Sequence, residues 1–114
     1  MFKINLISIM LLLFATGVSA EFVGPGSMWS QITVSDISSK KDSARVSLVG
    51  HLINQIDEEY YTFQDETGKM VVEIHPNELL ELTITPETRI KIIGEVDDGK
   101  RNAKVDVDHV VILD

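Results

Sequence analysis

From residue 45 onward, apolar and polar side chains alternate at period two, the spacing of strands with one face buried. Residues 45–74 read as three consecutive antiparallel strands. In the first, Val46, Leu48 and Leu52 share a face, and Ser47, Val49 and His51 form a more mixed one. Gly50 interrupts this long strand where it must bend sharply enough to serve two sheets. Asp57, Glu58 and Glu59 form a polar turn. The second strand, 60–64, sets Tyr61 and Phe63 on one face and Tyr60, Thr62 and Gln64 on the other. Asp65, Glu66, Thr67 and Gly68 have the composition of a type I hairpin turn closed by glycine. In the third strand, 70–74, Met70, Val72 and Ile74 alternate with Val71 and Glu73.

The period then changes. Residues 76–82, PNELLEL, predict a short helix, with proline in the first turn and Leu79, Leu80 and Leu82 available for burial. After the Thr85-Pro86 turn, a strand over 88–96 turns Ile90, Ile92 and Val96 inward and Arg89, Lys91, Ile93 and Glu95 outward. Gly94 falls in the inward phase, as expected at a close backbone approach. A charged loop over 97–102 leads to a last strand over 103–112, with Val105 and Val107 inward and Lys104, Asp106 and Asp108 outward. Three strands, a helix and two strands (β-β-β-α-β-β) is the order of the five-stranded Greek-key barrel called the OB-fold. The expected class is therefore all-β with a short helix that covers the barrel bottom. A flat meander backed by a helix is the competing architecture, and the long first strand with its central glycine favours the barrel.

Upstream, Lys3, a run of mostly apolar and small residues from Ile4 to Val18 and the triplet Val18-Ser19-Ala20 have the layout of a secretory signal peptide cleaved after Ala20. The run is shorter than the roughly 20 residues a spanning helix needs. The chain divides into a signal peptide (1–20), an N-terminal arm with a short helical turn (21–43) and the OB-fold domain (44–114). Within the arm, Gly24, Pro25 and Gly26 predict irregular backbone, Thr33 or Ser35 can cap the turn, and Val34 and Ile37 lie three apart on one face. Trp29, the only tryptophan, plugs an open end of the core or serves as a partner contact.

Composition narrows the function. Loss of Lys3 with the leader takes the formal charge from −8 to −9 and leaves 94 of the 114 residues, enough for one domain. The chain has no cysteine, so its core must suffice by packing, and export without disulfides points to a bacterial periplasm. Such acidity repels phosphate backbones and anionic membranes and favours cationic partners.

Several short matches, in order along nearly the whole mature chain, resemble the bacterial OB-fold (BOF) family of YgiW/YdeI-type stress-tolerance proteins. They are Gly24-Pro25 after the signal peptide, Thr33-Val34, then Val46, Leu48 and Gly50, and Tyr61, Phe63 and Asp65 with Thr67-Gly68. Thr83 with Thr85-Pro86, the run Ile92, Gly94-Glu95-Val96-Asp97, and Val105-Asp106-Val107-Asp108 complete them. The resemblance implies a periplasmic, non-enzymatic protein that acts by binding, in tolerance of envelope stress such as cationic antimicrobial agents or oxidants. Tryptophans that many family members carry in the short helix and the last hairpin loop are replaced here by 77–80 and 99–101.

The candidate ligand-binding surface is the outward face of the last two strands and their loop: Glu95, Asp97, Asp98, Lys100, Arg101, Asp106 and Asp108. Opposed carboxylates on adjacent strands lie about 5 Å apart and attract a cation together, while some pair with Arg89, Lys91 or Lys104. The expected partner is a cationic small molecule, a cationic peptide or an envelope protein; the alternatives are an interaction module built on the arm around Trp29, or a binder of single-stranded oligonucleotides through Lys100 and Arg101. No metal and no cofactor are expected. The acids lack calcium-loop spacing, and His51, His75 and His109 show no short paired spacing. No nucleophile elbow surrounds the serines.

Overall fold

The computed structural model describes residues 30–99 and 103–114. Six strands form one sheet: β1 (Ser30–Gln31), β2 (Arg45–Gln55), β3 (Tyr60–Asp65), β4 (Gly68–Ile74), β5 (Ile90–Val96) and β6 (Val105–Ile112). The hydrogen-bonded order is β1-β2-β3-β4-β6-β5, and β5 pairs back onto β2. The last pairing closes β2 to β6 into a ring. This is the Greek-key OB-fold expected from the strand order, with β1 added in parallel outside it.

β2 reaches both halves of the ring because it is 11 residues long. Its first half, Arg45 to Gly50, pairs with β5, and its second half, from His51, pairs with β3. Gly50 lies at the changeover, and a Cβ there would meet the Gln64 carbonyl and stand 2.8 Å from the Phe63 ring. Only glycine lets the two strands cross this closely. Gly94 plays the same part between β5 and β6, where a Cβ would run into the Asp106 carbonyl and lie 2.8 Å from Val107 Cα.

The inward positions predicted from the alternation fill the ring. Leu48, Phe63, Val72, Ile74, Ile90, Ile92 and Val105 are wholly buried. Burial of these side chains at about 1.5–3 kcal/mol each is the main stabilising contribution in a chain without disulfides. Ile37, from a 3-10 turn at Val34–Ser39, packs onto the same core. Asp65 ties that turn to the β3–β4 hairpin: its carboxylate accepts from Val34 N (2.9 Å), Thr67 N (2.8 Å), Thr67 Oγ1 (2.6 Å) and Gly68 N (3.2 Å). Burial opposes ionisation of this carboxyl, but the bonds from Thr67, Val34 and Gly68 together hold it below the ordinary carboxylate range.

The predicted helix over 76–82 is only a 3-10 turn, Pro76–Leu79. Leu80 is extended, Glu81 has φ 68°, and the chain then runs without regular structure to the turn at Pro86. Thr83 and Thr85 favour extended backbone, and Pro86 restrains the residue before it in the same way. Instead of three buried leucines, Leu80 is 66% exposed, whereas Leu79 and Leu82 are half-buried. The turn therefore covers the barrel bottom incompletely. A cleft of 370 Å³ remains there, bordered by Leu52, Tyr61, Leu79, Leu82 and Ile84.

Candidate cation-binding face

The closed ring aligns acids that are far apart in sequence. Glu73 of β4 is the registered partner of Asp106 of β6, and Asp106 is the partner of Glu95 of β5. Glu95 in turn stands opposite Arg45 of β2. Three acidic positions thus lie side by side across three neighbouring strands, the backbones about 5 Å from one to the next, with Arg45 facing Glu95. Asp106 takes part in no salt bridge among the described residues.

A bulge sorts the remaining acids. Between β5 and β6 the register passes from Gly94↔Val107 to Ile93↔His109, so Asp108 is the extra residue. The bulge frees its side chain from strict alternation. Arg45 Nη1 donates to Asp108 Oδ2 at 2.8 Å and to Glu95 Oε2 at 3.3 Å. These ion pairs run to Arg45, a residue outside the set Arg89, Lys91 and Lys104 that the sequence suggested. Burial pushes the Asp106 carboxyl above its ordinary range, and the nearby Asp108, Asp97 and Glu95 push it further, against the opposing effect of His75.

Of the residues expected to form the surface, Glu95, Asp97, Asp106 and Asp108 come together on this face. Asp97 sits at the end of β5, its N–H donating to the Lys104 carbonyl at 2.8 Å. Asp98 is turned toward the loop before β2, where its N–H donates to Asp42 Oδ1 at 2.8 Å. Lys100, Arg101 and Trp29 lie outside the described residues, as does the segment 1–20 that the sequence suggested is a signal peptide. Glu73 and Arg45 belong to the face but were absent from the sequence-derived set. Their signal was strand phase: both are outward positions, but only the register across β4–β6 and β2–β5 places them beside Asp106 and Glu95.

A second, larger concavity of 730 Å³ lies elsewhere, between β2, the β3–β4 hairpin and the segment before β5. Its rim mixes His51, Gln64, Glu66, Glu87 and Arg89, so it has no single electrostatic preference.

Comparison with known proteins agrees with this architecture. CarO of Pseudomonas aeruginosa, described as a calcium-regulated OB-fold protein, is 33% identical over 102 residues, covering 89% of this chain and 88% of CarO. Protein YgiW of Escherichia coli K12 is 30% identical over 118 residues, 91% of each chain. The solved structure of YgiW superposes with a TM-score of 0.70 at 29% identity, over 83% of this chain and all of that one. None of these relatives is named as an enzyme. The model of the bacterial OB fold (BOF) protein family matches residues 17–112, and the chain belongs to that family.

Proposed function

We propose that this protein is a periplasmic, non-enzymatic binding module of envelope stress tolerance, which holds a cationic small molecule, a cationic peptide or a cationic segment of an envelope protein. The observation that carries this reading is the row Glu73, Asp106 and Glu95. Like charges held side by side on adjacent strands destabilise a sheet unless something positive covers them. Asp97, Asp98 and Asp108 extend the negative field around the row, which raises the local concentration of cations and speeds their capture. The leader-like first twenty residues support export. An oligonucleotide is the poorer ligand, since single-strand binders present a basic groove lined with aromatic side chains and this face is acidic.

The test is thermal denaturation of the full chain with polyamines, cationic peptides and short single-stranded DNA at low and high salt. A ligand that binds the native state raises the melting temperature. The expected result is stabilisation by a polycation that weakens with salt and is abolished by Asp106→Lys. The double reversal Asp106→Lys with Asp108→Lys should abolish it too, although the second change also breaks the Arg45 pair. Unchanged polycation binding by Asp106→Lys would rule out the face, and stabilisation by DNA alone would reverse the choice of ligand.

A further inference from the structure

At the β3–β4 end of the acidic row the structure brings together three donors of metal-ligand type: a carboxylate oxygen of Glu59, one of Glu73 and an imidazole nitrogen of His75, all within 4.8 Å of one another. Local backbone geometry explains the convergence. Glu73 and His75 are two residues apart on extended chain, so their side chains leave the sheet on the same side. The Ile74 N–H donates to the Glu59 carbonyl at 2.8 Å, fixing the 57–59 turn against the end of β4. Asp57 Oδ1 accepts from Glu59 N and Tyr60 N, both at 3.1 Å, so the turn that carries Glu59 is itself held in shape.

Glu73 is only 8% exposed, an unusual position for a carboxylate. The side chains of His75 and Glu59 are 59% and 36% exposed, with His75 Nδ1 3.8 Å from Glu59 Oε2. The set thus has a buried anchor and two ligands reachable from solvent.

We propose that Glu59, Glu73 and His75 form a binding site for a first-row divalent transition metal, of which zinc is the representative ion, with solvent completing the coordination shell. The donor chemistry selects the ion. One imidazole with two carboxylates suits zinc, cobalt or nickel, whereas calcium takes six to eight oxygens and gains nothing from the imidazole. Ligand atoms bound to zinc at about 2.0–2.2 Å lie about 3–4 Å from each other. Closing the cluster onto an ion needs Glu59 or His75 to swing by about 1 Å, which exposed side chains on a fixed turn can do. The position of Asp106 beside Glu73 adds negative potential without adding a fourth ligand. This site shares Glu73 with the polycation surface but differs from it in needing the imidazole and the 57–59 turn, which the acidic row does not use.

The experiment is calorimetric titration of the tag-free full chain with zinc, repeated with cobalt, whose visible absorption reports its coordination, and with calcium. One zinc per chain is expected, with a cobalt spectrum and no competition from equimolar calcium. His75→Ala and Glu59→Gln each remove a ligand on an exposed side chain and should weaken zinc binding at least about tenfold, since even outer-shell partners contribute about 10–100-fold. Their unchanged unfolding curves without metal will show that the fold is kept. His109→Ala should bind zinc as the unaltered chain does. The proposal is overturned by absence of zinc and cobalt binding, by zinc affinity unaffected in His75→Ala, or by calcium displacing zinc at equal concentration. Polyamine binding is read in the same His75→Ala variant, which keeps every acid of the row, so failure of the metal site and failure of the acidic face are separable.

Discussion

Replacing Asp106 by asparagine should make the protein more stable. Asp106 faces a registered acid on each side, Glu73 and Glu95, and has Asp108 further along its own strand. Two unit charges about 5.5 Å apart in water repel by about 0.75 kcal/mol, and physiological salt reduces this to a few tenths. Cross-strand like-charge pairs fall in the same range, about 0.2–1 kcal/mol each. Arg45 already occupies Asp108 and Glu95. The sum is a gain of about 0.5–1 kcal/mol for Asp106→Asn, which in a domain of this size raises the melting temperature by about 2–8 °C.

The gain depends on pH in a direction fixed by the native state. The folded Asp106 carboxyl is held above the ordinary value of 3.8, so folding disfavours its charged form. That penalty is absent below 3.8, grows as pH rises from there through the raised folded value, and is complete above it. Urea unfolding of both proteins at neutral pH, at about 0.01 M and about 1 M ionic strength, should show an advantage for Asp106→Asn that shrinks with salt. It should vanish at pH below 3.8. A variant less stable than the original, or an advantage indifferent to salt, would refute the picture of Asp106 repelled by its acidic neighbours.

Asp65 works in the opposite sense. Its folded carboxyl lies below the ordinary value of 3.8, so its contribution is fully present above 3.8 and is lost as pH falls through the folded value; Asp65→Asn should lower stability by about 1–2 kcal/mol at neutral pH and flatten that acid limb in a urea series. Gly94→Ala should destabilise by about 2–3 kcal/mol, because the added methyl meets the backbone of β6 and that strand cannot retreat without loosening its pairing with β5. Arg45→Met keeps most of the aliphatic stem but releases Glu95 and Asp108; unfolding should show a loss of about 0.5–1 kcal/mol, and a polyamine titration should show tighter binding.

The barrel was legible in the sequence because each strand half-buries itself, and half-burial writes period two. Val46 and Leu48, Ile90 and Ile92, and Val105 and Val107 all occupy the inward places assigned to them. Gly50 and Gly94 were readable for a related reason, since a glycine in an inward phase marks backbone contact rather than missing packing. The helix over 76–82 was misjudged: three leucines over four positions match a helical face, but the threonines and proline that follow favour extended chain, and no burial compensates in so short a segment. β1 was missed because two exposed residues have no period to read. The acids of β5 and β6 were found because they sit close in sequence. Glu73 and Arg45 were not, since outward strand positions acquire neighbours only through register, and the β4–β6 pairing joins residues more than thirty positions apart.

That same pairing decides whether a cation-binding face exists at all. β4 and β6 run parallel, and their contact together with the β2–β5 contact turns the sheet into a ring. In an open meander Glu73 would sit on a strand remote from Asp106 and Glu95, and the three carboxylates would be isolated surface charges of little consequence. Closure brings them into one row, and the hydrophobic interior that drives closure supplies the energy to hold them there against their repulsion. A cation on the row lowers that repulsion and so favours the closed ring. Loosening β6, as Gly94→Ala should do, will therefore weaken polycation binding even though it removes no acid, whereas a change confined to the 3-10 turn at Pro76–Leu79 will leave binding intact.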